Sequence, residues 1–453
     1  MEIHQPLPAT RREAGIARGT DQRIAVIGLG YVGLPLAIAF ARVGRHVVGV
    51  DVDRKKISAL ENDVSYIPDV PTEDVKQSRA EGFFTATTDY DALKTCDVIF
   101  ICVPTPYDAM RAPDLIFIEQ AAEGILPRLQ KGQLVVLQST TYPGTTTEVV
   151  QPILERSGMK AGVDFDLAFS PERIDPGRTD FTYSNTAKVV GGLTPEATDR
   201  AGRLLQAVGA PVHAVSSPAA AEMTKLLENI FRSVNIALVN ELARLCERMG
   251  LDMWEVIDAA RTKPYGFMAF TPGAGVGGHC IGVDPYYLSW KAREFDFYTR
   301  FIELAAEVNQ QMPFHVVELV GKALSEAGHA LKGAKILILG VAFKRDIDDP
   351  RNSPAERVME LLIARGANVS YSDPYVPRFH IGGDVFHHEA TSFVSVPLSE
   401  KTVKEADCVV IVTGHRSVDY AMVVRNALSV VDCCNATDKI TEGKSKVVKL
   451  GAA

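Results

Sequence analysis

The stretch with the clearest chemical potential is Gly273-Ala-Gly-Val-Gly-Gly-His-Cys280-Ile-Gly-Val-Asp284. Five glycines fall within ten residues, and a cysteine closes the run with a carboxylate four positions on. A thiolate can capture an aldehyde as a thiohemiacetal, which is itself a hydride donor. Glycines such as Gly273 and Gly277 would let backbone amides approach a ligand. A structural glycine turn with an inert cysteine uses the same residues. A metal centre on His279 and Cys280 lacks a second Cys/His cluster of suitable spacing, so no metal is expected. Lys225 and Asn229, four apart on one helical face, offer an ammonium and an amide to a negatively charged oxygen. An exposed lysine beside a polar interface asparagine is the plainer reading of that pair. Ser170-Pro-Glu172-Arg173-Ile-Asp175-Pro-Gly177 and Gln138-Ser-Thr140-Thr-Tyr-Pro-Gly144 each follow a strand-like run. Glu172 could handle water and Thr140 position it, although both residue types are also common in turns.

A second constellation is Gly28-Leu-Gly30-Tyr31-Val32-Gly33, set between an apolar run (Arg23 to Gly28) and a helix-like stretch (Val32 to Val43). Glycines here permit a tight turn, close approach to a pyrophosphate and close helix packing, with the helix N-terminus facing the anion. Asp51 ends the next strand-like run, His46 to Val50, where an acid accepts ribose hydroxyls and repels a 2′-phosphate. NAD is therefore the expected cofactor. Arg54, Lys55 and Lys56 follow closely and would tolerate NADP, but read more simply as a solvated helix start. Lys344, Arg345 and Arg351 form a cationic group that could hold a pyrophosphate; a solvated charged loop is the alternative.

The elements that must position these groups are alternating strands and helices, the pattern of a doubly wound α/β sheet. Ala219 to Met249 contains no Gly or Pro, with Ser217 and Pro218 before it and Gly250 after it, which predicts one long helix spanning roughly 45 Å. Beyond residue 330 the first pattern returns. Lys335–Gly340 resembles the first strand, Gly366–Asp373 parallels Gly44–Asp51, and Ala406–Thr413 parallels Thr95–Cys102. The expected fold is α/β, two Rossmann-like doubly wound domains joined by a long central helix. The boundaries are a flexible tail over 1–20, a cofactor domain over 21–212, a central helical and dimerisation domain carrying the cysteine loop over 213–325, and a second Rossmann-like domain over 326–453. The second lacks the glycine fingerprint, so a different ligand is expected there.

Composition sets the outer limits. With 453 residues, 46% hydrophobic and 23% charged, the chain reads as a multidomain globular enzyme. Its net charge of −8 argues against a general nucleic-acid or membrane-surface binder. No apolar run is long enough to span a bilayer, and the N-terminal residues lack the apolar segment of a secretory signal. Seven cysteines without paired spacing favour reduced thiols and a cytoplasmic location.

Taken in order, these motifs closely resemble the UDP-glucose/GDP-mannose dehydrogenase family, from residue 23 to about 415. The resemblance rests on the glycine fingerprint, Val103-Pro-Thr105-Pro, Ser139-Thr140, Ser-Pro-Glu172, Lys225-x3-Asn229, Gly-Gly-x-Cys280-x3-Asp284, and Phe343-Lys344-x-Asp346 with Arg351. Lys263-Pro-Tyr265-Gly-Phe267-Met is similar to the N-acetylhexosamine branch. The resemblance implies two successive NAD-dependent oxidations of a sugar CH2OH to a carboxylate, on a UDP-N-acetylhexosamine. UDP-N-acetylglucosamine fits best, with UDP-N-acetylmannosamine or UDP-glucose as alternatives, and surface polysaccharide or lipopolysaccharide synthesis as the setting. It makes Cys280 the nucleophile and Asp284 its proton partner. Lys225 and Asn229 become the oxyanion donors, and Thr140 and Glu172 organise water. Tyr31, Val32, Val103, Thr105, Thr140 and Arg351 would touch the cofactor. Glu172, Arg173, Lys225, Asn229, Tyr265, Phe267, Gly273, Gly277 and Lys344 would touch the substrate. The family also implies a homodimer built on the long helix. Pro176 and Val283 replace a glutamate and a lysine of the UDP-glucose branch, and Ala274 and Gly282 stand where proline is expected. Two rivals are a single-step 3-hydroxyacid dehydrogenase, which has no use for Cys280, and a catalytically silent NAD or nucleotide-sugar sensor.

Overall fold

The computed structural model describes residues 22–106, 112–174, 181, 183, 185–278, 282, 284–382 and 390–452. They form two compact units. One comprises the described residues up to Pro104, Ile116–Ser139 and Gly144–Glu222; the other comprises those of Thr105–Leu115, Thr140–Pro143 and Met223 onward.

The first unit is built on eight strands: β1 (Arg23–Ile27), β2 (His46–Val50), β3 (Phe84–Thr87), β4 (Val98–Ile101), β5 (Leu134–Leu137), β6 (Asp166–Phe169), β7 (Lys188–Gly192) and β8 (Val212–Ala214). Their order is β3-β2-β1-β4-β5-β6-β7-β8, parallel except for the β6–β7 pair. The first six follow the order of a doubly wound dinucleotide fold, whose direction reverses between β1 and β4. Every residue of β4 and β5 is buried, which explains why these strands read as continuous apolar runs rather than alternating ones. Helix Gly33–Arg42 covers the sheet next to the reversal point, and its Phe40 ring lies 5.6 Å from Phe100 of β4. Burying a side chain of that size stabilises by about 1.5–3 kcal/mol.

In the second unit β9 (Lys335–Leu339), β10 (Asn368–Ser372), β13 (Cys408–Ile411), β14 (Val430–Asp432) and β15 (Val447–Lys449) form a fully parallel sheet. Its order is β10-β9-β13-β14-β15, with a separate antiparallel hairpin of β11 (Arg378–Ile381) and β12 (Thr391–Val394). Its core joins the sheet to helix Arg300–Glu326 and to the C-terminal half of helix Pro218–Met249. The long helix begins at Pro218, with the Ser217 hydroxyl accepting the Ala220 N–H, as the Ser-Pro start predicts. The chain passes from one unit to the other within it.

The two sheets share one local device. Gly28 (φ +89°) and Gly340 (φ +78°) follow β1 and β9, and a Cβ at either would lie 2.6 or 2.3 Å from the backbone oxygen of Cys102 or Thr413. Only glycine allows both this conformation and this approach. The devices then diverge. Gly30 is replaced by Ala342, and Asp373, the counterpart of Asp51, spends Oδ2 on the N–H groups of Val341 and Ala342 and on His415 Nε2. His415 Nδ1 accepts the Asp346 N–H, so Nε2 carries the proton donated to Asp373.

Candidate active site

The fingerprint of the first unit has separate tasks for its three glycines. Gly28 makes the turn. A Cβ at Gly33 would sit 1.8 Å from the Gly28 carbonyl oxygen, so Gly33 lets the helix start against the strand end. At Gly30 a Cβ would meet no atom of the other described residues within 4 Å, so that face of the loop is open among them. Val32 precedes the helix without a side-chain cap, and the Tyr31 side chain is exposed. The loop is tied down by Tyr66, whose hydroxyl donates to the Leu29 carbonyl at 2.7 Å. Burial, then Asp51 and Asp53, push the Tyr66 phenol far above its ordinary range, so it stays a donor.

Asp51 is buried at the end of β2. Its Oδ2 accepts the Leu29 N–H at 2.8 Å and Lys56 Nζ at 2.9 Å, and its Oδ1 accepts the Asp53 N–H at 2.9 Å. Arg54 and Lys55 are exposed, as a solvated helix start requires. Lys56 departs from that expectation, because its ammonium is paired with the carboxylate that faces the fingerprint loop. Val103 is held by its carbonyl, which accepts Ser139 Oγ at 2.7 Å.

Glu172, at the end of β6, is buried and surrounded by donors. Lys188 Nζ lies 2.9 and 3.0 Å from its two oxygens, the N–H groups of Arg173 and Ile174 donate to Oε1, and the Gln138 amide reaches Oε2 at 3.3 Å. Burial alone would raise its pKa. Lys188, the Tyr183 hydroxyl and the backbone donors outweigh that and hold the carboxyl below its ordinary value. Lys188 is itself fully buried, 3.9 Å above the Tyr183 ring, and the Tyr183 hydroxyl, 3.3 Å from the Val32 carbonyl oxygen, shares its one proton between that carbonyl and Glu172. The Ser-Pro-Glu loop is therefore wired to the fingerprint through Tyr183. Sequence reading missed Lys188 and Tyr183; a lysine opening an otherwise wholly buried strand, Lys-Val-Val-Gly-Gly, was the available signal. Arg173 turns its guanidinium to the Ala187 carbonyl at 2.7 Å.

In the second unit the long helix presents Lys225 and Asn229 on one face, and the Asn229 amide donates to Asp284 Oδ2 at 2.6 Å. Asp284 opens helix Asp284–Ala292 and is buried. Burial raises its pKa to about 7, against the opposing pull of the Lys225 charge and the Asn229 bond. A carboxyl poised there can accept and return a proton at neutral pH. Cys280 and Val283 lie outside the described residues, as do Asp175, Pro176 and Gly177.

The glycine loop before Cys280 is anchored by residues that sequence reading missed. Asn240, fully buried on the long helix, accepts the Gly273 N–H at 3.0 Å and donates to Asn309, which donates on to the Ser233 carbonyl. Two of the glycines also have a packing task within the protein. A Cβ at Gly277 would lie 2.8 Å from Phe343 and 2.9 Å from the Asn352 oxygen, and one at Gly278 would lie 3.0 Å from the Phe343 ring. At these two positions the missing side chain admits Phe343 of the Phe-Lys-x-Asp motif. Gly278 N–H also donates to the Arg351 carbonyl. The Arg351 guanidinium is held by Asp349, with Nη2 2.6 Å from Oδ2, and Lys344 is half-buried in the same turn. Tyr265 and Phe267 are exposed. Thr140 is half-buried, and the neighbouring Thr141 hydroxyl is buried without a hydrogen-bond partner among the described residues. The Thr105 carbonyl accepts the hydroxyl of fully buried Tyr287. Among the described residues no group of acidic, histidine or cysteine side chains is arranged to hold a metal ion, and no helix is long and apolar enough to cross a membrane.

Comparison with known proteins bears on the whole chain. Three domain profiles of the UDP-glucose/GDP-mannose dehydrogenase family match it: the NAD binding domain over residues 22–208, the central domain over 219–311 and the UDP binding domain over 337–439. A UDP-N-acetyl-D-glucosamine 6-dehydrogenase of Pseudomonas aeruginosa is 38% identical over 379 residues, covering 83% of this chain and 87% of the relative. A UDP-N-acetyl-D-mannosamine dehydrogenase of Pyrococcus horikoshii is 37% identical over 395 residues, covering 87% and 89%. A solved structure of a Pyrococcus horikoshii enzyme of that activity superposes with a TM-score of 0.84 at 34% identity, over 95% of this chain and 99% of that one.

Proposed function

The chain belongs to the UDP-glucose/GDP-mannose dehydrogenase family, and on that premise we propose that it oxidises the C6 hydroxymethyl of UDP-N-acetylglucosamine to the carboxylate in two steps. The observation that carries the mechanism is the Lys225–Asn229–Asp284 group, with a carboxyl whose pKa of about 7 suits proton transfer. NAD, when bound, accepts one hydride in each step. The residues that fit it are Gly28, Gly30, Tyr31, Val32, Gly33 and Asp51, with Val103, Thr105, Thr140 and Arg351 as further contacts. The open face at Gly30 and the buried carboxylate of Asp51 are the features of this chain that support the assignment.

In the first step the C6 hydroxyl loses its proton as hydride leaves carbon, and Lys225 and Asn229 stabilise the negative oxygen. The Cys280 thiolate then adds to the aldehyde carbon, and the resulting oxyanion takes up a proton to give a thiohemiacetal. Loss of that hydroxyl proton and a second hydride leaves a thioester. Water adds to the acyl carbon, the thiolate departs, and the carboxylate forms. Asp284 is the group suited to carry protons through these exchanges. Glu172, held ionised and saturated with donors, is a poor proton acceptor; it and Thr140 act by ordering the loops that orient water. Arg173, Tyr265, Phe267, Gly273, Gly277 and Lys344 are assigned to substrate contact by their motif positions.

UDP-N-acetylmannosamine is the second reading, favoured by relatives of that activity at closely similar identity. NADH formation measured across UDP-N-acetylglucosamine, UDP-N-acetylmannosamine, UDP-glucose and GDP-mannose tests both. Exclusive turnover of either of the last two would overturn the N-acetylhexosamine assignment. The product would be a nucleotide-activated uronic acid suited to polysaccharide synthesis.

The enzyme is read as a homodimer through the long helix. Leu227, Phe231, Leu238, Leu242, Leu245 and Met249 are exposed at helical spacing, forming an apolar stripe that a soluble monomer would leave in water.

A further inference from the structure

We propose that Asn240, held in orientation by Asn309, is a positioning residue for the Cys280 nucleophile; the inference rests on the covalent reading of the reaction. Asn229 and Asn240 are both buried on the long helix. They lie about three turns apart on one face, roughly 16 Å along the axis. Asn229 holds Asp284, four residues after Cys280, and Asn240 holds Gly273, seven residues before it. One helix face therefore fixes both ends of the segment that contains the nucleophile.

The amides behind Gly273 can run in one direction only, because a backbone N–H must donate and a backbone carbonyl must accept. The Gly273 N–H donates to Asn240 Oδ1 at 3.0 Å, so Asn240 Nδ2 faces Asn309 and donates to its Oδ1 at 2.9 Å. Asn309 Nδ2 then donates to the Ser233 carbonyl at 3.2 Å, two turns back on the long helix. Reversing either amide would set donor against donor or acceptor against acceptor, so Asn309 locks the orientation of Asn240. The neighbours Val239, Ala243, Met312 and Val316 belong to the apolar core of this unit. Apolar side chains at 240 and 309 would fill that place without the desolvation cost of two amides; what they would lack is the acceptor for Gly273. Asn309 also meets the loop with its main chain. Pro313, inside helix Arg300–Glu326, has no N–H to give the Asn309 carbonyl four residues before it. Gly275, at φ +139°, passes that carbonyl, and a Cβ there would lie 3.4 Å from its oxygen.

The test resolves the two NADH-forming steps in single-turnover reactions of the full chain, with whichever of the four nucleotide sugars the parent oxidises. Only the second step needs the cysteine adduct. Asn240→Leu keeps a branched side chain and removes both polar groups. It should slow the second step by about ten- to a hundredfold, the scale of a reacting group misplaced by about 1 Å. The first step, and equilibrium binding of NAD and of the nucleotide sugar, should match the parent. Asn309→Ala leaves Asn240 in place but unoriented, so it should give the same split more weakly, and it reports if Asn240→Leu folds poorly. A merely structural role would lower the melting temperature and slow both steps together. Equal loss in both steps, a parent-like second step in either folded variant, or a loss confined to nucleotide-sugar binding would overturn the inference. A parent that forms one NADH per sugar would instead remove the covalent reading, and the inference with it.

Discussion

The Asn229 amide donates to Asp284 Oδ2 across 2.6 Å, joining the long helix to the first residue of the helix that follows the cysteine motif. Two residues that are 55 apart in sequence are thereby joined by one hydrogen bond. Burial makes the carboxyl hard to ionise, and the Asn229 bond with the Lys225 charge limits that effect enough to leave its pKa at about 7.

Asp284 should therefore leave a signature in both activity and stability. If it acts as a base, kcat/KM rises with pH through about 7, and Asp284→Asn removes that limb. The stability effect has a defined sign. The folded carboxyl binds its proton more tightly than the unfolded one, with its ordinary value of 3.8. Its contribution is fully present below that value and is lost as pH rises through about 7. Thermal melts between pH 4 and 8 should show a steeper fall for the parent than for Asp284→Asn; identical slopes would contradict the raised pKa.

Gly30 and Gly33 should fail differently when changed to alanine. A Cβ at Gly33 collides with the Gly28 carbonyl, whereas one at Gly30 meets no atom of the other described residues within 4 Å. Gly30→Ala should keep or slightly raise stability, by up to about 1 kcal/mol, while NAD binding weakens. Gly33→Ala should lower the melting temperature itself. Calorimetry of both variants with and without NAD checks the distinction.

Lys188→Met strands the Glu172 carboxylate in a buried site. Removing one partner of such a pair costs about 3–5 kcal/mol, which should appear as a lower denaturant midpoint. The bonds that depress the Glu172 pKa stabilise the folded state above its ordinary value of 4.5 and are lost as pH falls through the folded value. The destabilisation should therefore be largest near neutrality and shrink in acid. A deficit independent of pH would point to packing loss alone.

Cys280→Ser separates covalent capture from a single oxidation. A hydroxyl is a far weaker nucleophile at neutral pH and a poorer acyl leaving group. Sugar-acid formation should collapse by about a hundredfold or more, while the first hydride transfer persists and aldehyde or a slow ester accumulates. Rapid-quench mass spectrometry reads this directly. Parent-like acid production would reject the thioester route.

Leu238→Asp with Leu242→Asp places two charges in the exposed apolar stripe. Sedimentation should show a dimer for the parent and a monomer for the double variant, with circular dichroism unchanged because both side chains are already exposed. A parent that is monomeric at micromolar concentration would remove the dimer reading.

Much of this protein is determined locally and is therefore legible in the chain. Buried parallel strands need continuous apolar residues, so β1, β4, β5, β9 and β13 announce themselves. A left-handed turn pressed against a neighbouring strand needs glycine, which marks Gly28. The long helix shows its Ser-Pro start and its terminal Gly250. The motif residues on which family membership rests are equally plain. What only the tertiary structure decided is how polar groups distant in sequence are paired, because no local periodicity encodes a long-range partner. Lys56 reads as solvent-facing until Asp51 is found beside it, and Glu172 reads as a water-handling or turn residue until Lys188, Gln138 and Tyr183 surround it. That Gly277 and Gly278 pack against Phe343 is likewise visible only in the fold. The chemical identity of a residue is local, but its charge state and its freedom to act depend on which groups the fold brings within hydrogen-bonding distance.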